Sequence, residues 1–161
     1  MIKVSTRGRY ALRAMLDLAL HASEMPVPRH EISERQEFSP DYVAHLVREL
    51  RGAGLVAGIK GPGGGYVLAR DPEFIRLGEI VRAVEGPIAV VDCVLPNQED
   101  PCHRQDHCVT HQMWVRLSAT MAEFLDSITL ADLCDQAREL ELEGAQGEAG
   151  TSAMSSLTVA L

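Results

Sequence analysis

The chain has 161 residues, enough for one domain or a small domain with an appendage, and only three Phe, three Tyr and one Trp, so its core is aliphatic. The net charge of −8 is uneven: residues 1–72 carry ten Lys/Arg against eight Asp/Glu and residues 73–161 five against fifteen, which suits a DNA-facing module joined to one that avoids DNA. With no opening signal segment and no apolar run that could span a bilayer, a membrane partner is excluded, and a soluble cytoplasmic protein with reduced thiols is expected.

The first helix starts after Ser5 or Thr6, either of which can cap it, and Leu12, Met15, Leu16, Ala19 and Leu20 follow the spacing of one buried stripe. Lys3, Arg7, Arg9 and Arg13 lie at its start or on its other faces. Basic residues there gain nothing from the helix dipole, so a phosphate ligand or a solvated face must explain them. Pro28 to Gln36 reads as a short helix with Ile32 inward, and Glu37-Phe38 as a tight turn. Ser39-Pro40-Asp41 supplies a capping hydroxyl, a proline at the first helical position and an acid in the first turn. Val43, Leu46, Val47 and Leu50 then form an apolar stripe, with Asp41, Ala44, His45 and Arg48 away from it and Tyr42 packed between helices. Two short helices so closely joined have the dimensions of a helix-turn-helix.

Two strands follow, Leu55–Lys60 and Tyr66–Ala69, joined by Gly61-Pro62-Gly63-Gly64-Gly65. A phosphate-binding P-loop is excluded, because no Gly-Lys-Ser/Thr and helix follow. A helix-turn-helix followed at once by a hairpin is a winged helix, whose tip brings Lys60 to the DNA backbone or minor groove. Leu77, Ile80, Val81 and Val84 define a further helix, ended by Gly86-Pro87.

The segment that follows carries Cys93-x8-Cys102-x5-Cys108-x2-His111. It is polar, contains two prolines and has no hydrophobic period, so it is expected to be a loop. Thiolate and imidazole together suit zinc or an iron–sulfur cluster; the alternative is unrelated cysteines, or a disulfide with a spare thiol. Beyond it Trp114, Leu117, Met121, Phe124 and Ile128 alternate steps of three and four, a heptad seam that predicts a homodimer, the alternative being that this face packs on its own domain. Thr129 can cap a last helix, Leu130 to Leu142, in which Cys134 is a core residue. The chain beyond residue 143 is rich in Gly, Ala, Ser and Gln. The fold class is therefore mainly α with a small β wing. Residues 1–86 form a winged helix-turn-helix DNA-binding domain, 87–111 a cluster-binding loop, 112–143 dimerisation helices and 144–161 a disordered tail.

Ser-Thr-Arg-Gly-Arg-Tyr-Ala (5–11), Met-Leu-Asp-Leu-Ala (15–19), Ile-Ser-Glu-Arg-Gln (32–36), Gly-Pro-Gly-Gly-Gly-Tyr (61–66), the cysteine loop through Trp114 and Ile-Thr-Leu-Ala-Asp-Leu (128–133) resemble the IscR-like iron–sulfur regulators, a family that includes NsrR and RirA. The resemblance runs from residue 1 to about 140. It implies a homodimeric winged-helix transcription regulator with one [2Fe–2S] cluster per subunit, held by Cys93, Cys102, Cys108 and His111. Two departures stand out. The first ligand spacing is eight residues where the IscR pattern usually has five, a widening that NsrR-type proteins share and that admits a [4Fe–4S] cluster. The recognition helix has Ala44-His45 where IscR-like proteins commonly have Glu-Gln, so a different operator sequence is expected, since alanine offers a base only apolar contact.

Arg7, Arg9 and Arg48 are candidate phosphate contacts and His45 a base contact, with Ser39, Asp41, Ala44 and Lys60 completing the candidate DNA face. The implied partner is a pseudo-palindromic double-stranded operator, and the implied signal is oxygen, nitric oxide, redox change or iron shortage. A regulator with a structural Cys3His zinc site uses the same ligands, and a Cys102–Cys108 thiol switch needs no metal. No Ser-His-Asp order, paired catalytic carboxylates or nucleotide-binding glycine motif can be assembled, so an enzyme is not expected.

Overall fold

The computed structural model describes residues 5–22, 25–96 and 102–155, with side chains as far as Glu143. Among them run α1 Thr6–His21, α2 Arg29–Gln36, α3 Pro40–Gly52, β1 Val56–Ile59, β2 Gly65–Leu68, α4 Leu77–Glu85, α5 Val109–Ser127 and α6 Leu130–Ser155. The predicted caps of α1 and α3 form: Ser5 Oγ accepts the N–H groups of Arg7 (3.0 Å) and Gly8 (3.4 Å), and Ser39 Oγ accepts that of Tyr42 (3.2 Å). Each satisfies donors that a helix start otherwise leaves unpaired. α2, α3 and the hairpin are therefore a helix-turn-helix with a wing.

β1 and β2 pair antiparallel from Val56↔Leu68 to Ile59↔Gly65. Val27, just before α2, adds a bridge by exchanging two 2.9 Å hydrogen bonds with Tyr66. Gly65 permits this approach, since a Cβ there would fall 2.4 Å from the Val27 carbonyl oxygen. The wing is thus tied to the start of the helix-turn-helix as well as to its end.

The core gathers Ala11, Met15 and Leu18 of α1, Ile32, Val43, Leu46, Val47, Leu50, Leu55, Ile75 and Ile80. The buried face of α1 differs from the predicted stripe. Gly8, Ala11, Ala14, Met15, Asp17 and Leu18 are buried, whereas Leu12, Leu16 and Ala19 are only partly so. Small residues there let neighbouring helices approach α1 closely, so close packing rather than side-chain hydropathy selects the face.

The last helices are part of the same core. Leu130 is fully buried, Leu125, Ile128 and Leu133 pack against the cluster, and Cys134 is buried as predicted. Leu77 N–H donates to Ile128 O (3.0 Å) and Leu130 N–H to Ile75 O (2.8 Å), pinning the α5–α6 joint to the segment before α4. Ile128, expected in the dimer seam, packs against this core instead. α6 continues to Ser155, beyond the predicted end at Leu142 and into the expected tail; the Ala, Glu and Gln between its glycines sustain helix. Residues 156–161 lie outside the described residues. Among the described residues, no helix is long and apolar enough to cross a membrane.

Candidate nucleic-acid interface and metal centre

The exposed side of α3 carries Asp41, His45 and Arg48, with Ala44 half-buried beside them. Arg48 Nη2 lies 3.3 Å from His45 Nδ1, and His45 Nε2 lies 3.3 Å from Glu49 Oε1. The same Glu49 oxygen accepts a hydrogen bond from Arg7 of α1. That hydrogen bond is the main reason the Arg7 guanidinium is held more firmly protonated than usual. Arg7, His45 and Arg48 are thus brought together by a residue that the sequence does not single out. Glu49 reads as an ordinary helical acid, and its one signal is its place four residues after His45. Its other oxygen, Oε2, is buried with no partner among the described residues.

Other candidates stand differently. Arg9 is exposed and reaches Thr6 Oγ1 of its own helix at 3.4 Å. Lys60 is exposed at the end of β1. Arg13, grouped with the basic residues of α1, is absorbed by structure: it donates to Gln36 Oε1 (3.0 Å) and Gln36 O (2.9 Å) and lies 4.9 Å from the Phe38 ring centroid. Tyr42 joins Tyr10 and Phe38 in an aromatic cluster, as its predicted packing role requires.

Two motifs of the resemblance acquire physical reasons. In Met-Leu-Asp-Leu-Ala and Ile-Ser-Glu-Arg-Gln, buried Asp17 takes Arg35 on both oxygens (2.9 and 2.8 Å) and Gln36 Nε2 at 3.0 Å. In Ser-Thr-Arg-Gly, Glu85 of α4 accepts the Ser5 hydroxyl and, at 2.8 Å, the Gly8 N–H. A Cβ at Gly8 would meet that carboxylate at 2.6 Å. Both clamps fix α1 against its neighbours, and hence Arg7 against α3.

In the cysteine loop, Cys93 lies in a 3-10 turn, Asp92–Val94, beside α5, and Val90 N–H donates to buried Ser118 Oγ of α5 at 3.2 Å. Cys102 precedes a second turn, Gln105–His107, and Cys108 is the residue that opens α5. The loop was expected to run to 111, but helix begins at Val109, which puts His111 in its first turn. The rigid start of a helix, not flexible chain, therefore sets the Cys108–His111 spacing. Residues 97–101 lie outside the described residues. All four cysteines are free thiols. Thr110 Oγ1 lies 3.1 Å from Cys108 Sγ, and this contact, then the His111 N–H, draws the Cys108 thiol below its usual pKa. His111 Nδ1 is buried and has no hydrogen-bond partner among the described residues. Among the described residues, no three His, Cys, Asp or Glu side chains are gathered closely enough to hold a metal ion.

A helix-turn-helix with a hairpin wing, its second helix presenting a polar and basic side, defines a winged-helix DNA-binding protein. The chain belongs to the Rrf2 family: residues 4–136 match that family, described as iron-dependent transcriptional regulators. It is 41% identical over 145 residues to the HTH-type transcriptional regulator IscR of Yersinia enterocolitica, spanning 90% of this chain and 87% of that one. It is 42% identical over 141 residues to IscR of Sodalis glossinidius, spanning 88% and 84%. Among solved structures it is similar to T. potens IscR, with TM-score 0.70 and 41% identity over 86% of this chain and 90% of that one. It is also similar to CymR, the global cysteine regulator of B. subtilis, with TM-score 0.67 and 40% identity over 84% and 98%. The chain is accordingly a DNA-binding transcription regulator and not an enzyme.

Proposed function

We propose that the chain acts as a homodimer on a pseudo-palindromic operator, and that an iron–sulfur cluster held by Cys93, Cys102, Cys108 and His111 governs its affinity for DNA. The observation that carries this reading is the buried His111 Nδ1, which has no hydrogen-bond partner among the described residues, in a segment whose three cysteines are free thiols. Burying a polar nitrogen without a hydrogen bond is costly unless it has a ligand to meet. The family resemblance favours [2Fe–2S]; the wide first spacing admits [4Fe–4S], and the donor chemistry alone also admits zinc.

When bound, such a cluster supplies a centre that oxygen, nitric oxide, redox change or iron shortage can alter. The chain's own residues supply the coupling. Cys108 caps the start of α5, His111 lies in its first turn, and Cys93 lies in a turn packed on α5. Further along, Asp126 of α5 pairs with Arg82 of α4 at 2.5 Å, and Glu85 of α4 holds the start of α1. A change at the head of α5 thus has a continuous path to Arg7 and the recognition helix. A coupling of about 1–3 kcal/mol changes affinity roughly 5–150-fold.

Purification without oxygen, with visible absorption and assays of iron, sulfide and zinc, tests the reading. Iron and sulfide in matching amounts, lost in Cys93→Ala and Cys108→Ala and weakened in His111→Ala, are expected. A colourless protein with one zinc per chain that Cys93→Ala abolishes would overturn it in favour of a structural zinc site. Gel-shift titrations with and without the cluster then measure the coupling.

A further inference from the structure

A groove of about 330 Å³ opens between the wing and the helix-turn-helix, lined by Arg29, Arg51 and Lys60 with Gly64, Gly65 and Tyr66. Its lining contains no carboxylate, although the chain has 23 Asp/Glu against 15 Lys/Arg. Elsewhere Arg7, Arg35, Arg70, Arg82 and Arg138 each hold a carboxylate, while Arg9, Arg13 and Arg48 meet uncharged groups or a histidine. Arg29, Arg51 and Lys60 form no ion pair among the described residues. Three exposed cations converging without a counter-charge repel one another, and folding alone gives no reason to gather them.

The position of the groove supplies that reason. His45, Arg48 and Arg51 follow at steps of three along the exposed side of α3, so the groove continues the surface that carries the recognition residues. Its far wall is the wing, where Gly58 lies beside the Arg51 guanidinium: a Cβ there would be in ordinary contact with the guanidinium carbon, at 3.5 Å. Its floor includes the start of α2, where Pro28 provides no side-chain cap and the first helical residue is Arg29. A cation at that end is unfavourable until an anion joins it.

We propose that this groove seats a backbone phosphate of the bound DNA, held by Arg29 and Arg51, with Lys60 closing the groove from the wing. The inference rests on the reading of the chain as a DNA-binding regulator and adds two phosphate-binding residues to it. A phosphate contact carries no sequence information, so it acts on any duplex alike.

The test is fluorescence anisotropy of the full-length protein between 50 and about 200 mM salt, the range over which phosphate contacts dominate affinity. Each variant is titrated with an operator fragment, selected from genomic DNA by the wild type, and with an unrelated duplex of equal length. Arg29→Ala, Arg51→Ala and their double variant are expected to lose affinity for both duplexes by the same factor. The slope of log affinity against log salt should fall by about 0.9 for each phosphate that the variant no longer neutralises. Arg51→Lys, which keeps the charge, should restore most of the slope, separating lost charge from a disturbed wing. A folded double variant with the wild-type slope on both duplexes overturns the proposal. So does a loss confined to the operator, which would make these residues base readers. Failure of the wild type to select any operator would defeat the proposed function, while the slopes on the unrelated duplex would still decide the groove.

Discussion

Two carboxylates decide how the basic residues of this chain are used. Asp17 is buried and held by Arg35 and Gln36, whereas Arg35 itself keeps some access to water. The two ends of the pair are therefore not equivalent. Arg35→Ala leaves a buried carboxylate short of its partner and is expected to cost about 3–5 kcal/mol. Asp17→Asn keeps a hydrogen-bonding group and leaves a guanidinium that water can reach, so it should cost less; urea unfolding of both variants checks the order. Glu49 instead holds Arg7 and His45 of the candidate DNA face. Glu49→Gln weakens the hold on Arg7 and His45 together, and operator affinity is expected to fall while the unfolding midpoint moves little. An unchanged affinity would show that Arg7 and His45 do not need this anchor. Neither carboxylate declared its role in the sequence, since the partners of Asp17 lie eighteen and nineteen residues away and Arg7 lies forty-two from Glu49.

At the scale of elements, ends and crossings matter more than interiors. The Ser39 cap sits exposed on the candidate DNA face, and Ser39→Ala should cost about 1 kcal/mol of stability. α6 begins with a reciprocal cap: Thr129 N–H donates to Asp132 at 2.7 Å and Asp132 N–H to Thr129 at 3.0 Å. These Thr129 groups hold the Asp132 carboxyl below the usual carboxylate range. A depressed pKa means stability that is present above the unfolded value, near pH 4, and is lost as pH falls through the folded one. Asp132→Asn should therefore lower stability at neutral pH and flatten its fall in acid, as pH-resolved unfolding would show. The hairpin, the caps and α3 were legible because local chemistry fixes them: glycines at a turn, a hydroxyl before a helix, an apolar stripe of constant period. The face of α1 was not, because Ala11 and Ala14 are buried for their smallness against other helices, and hydropathy favours the larger Leu12 and Leu16.

At the scale of the whole molecule, α5 is divided between two tasks. Its C-terminal end packs through Leu125 on the core, as does Ile128 just beyond it, while Val109, Met113 and Phe124 stay exposed, Phe124 to 63%. Exposed apolar residues on one helix beside the cysteine loop fit the proposed dimer contact. Phe124→Glu is expected to shift a dimer toward monomer in sedimentation velocity and to weaken operator binding by more than about tenfold, because one half-site alone would remain bound. Retention of the dimer would move the interface elsewhere.

The sequence by itself determined the helix-turn-helix, the wing, the order of the thiols and imidazole, and the family, because each depends on neighbours in the chain or on residue types at short spacing. Only the tertiary structure decided which cations are paired with internal acids and which form no ion pair among the described residues, and that the last helices close the core of the winged helix. Charges and buried faces are paired across distances in sequence over which no local pattern carries information.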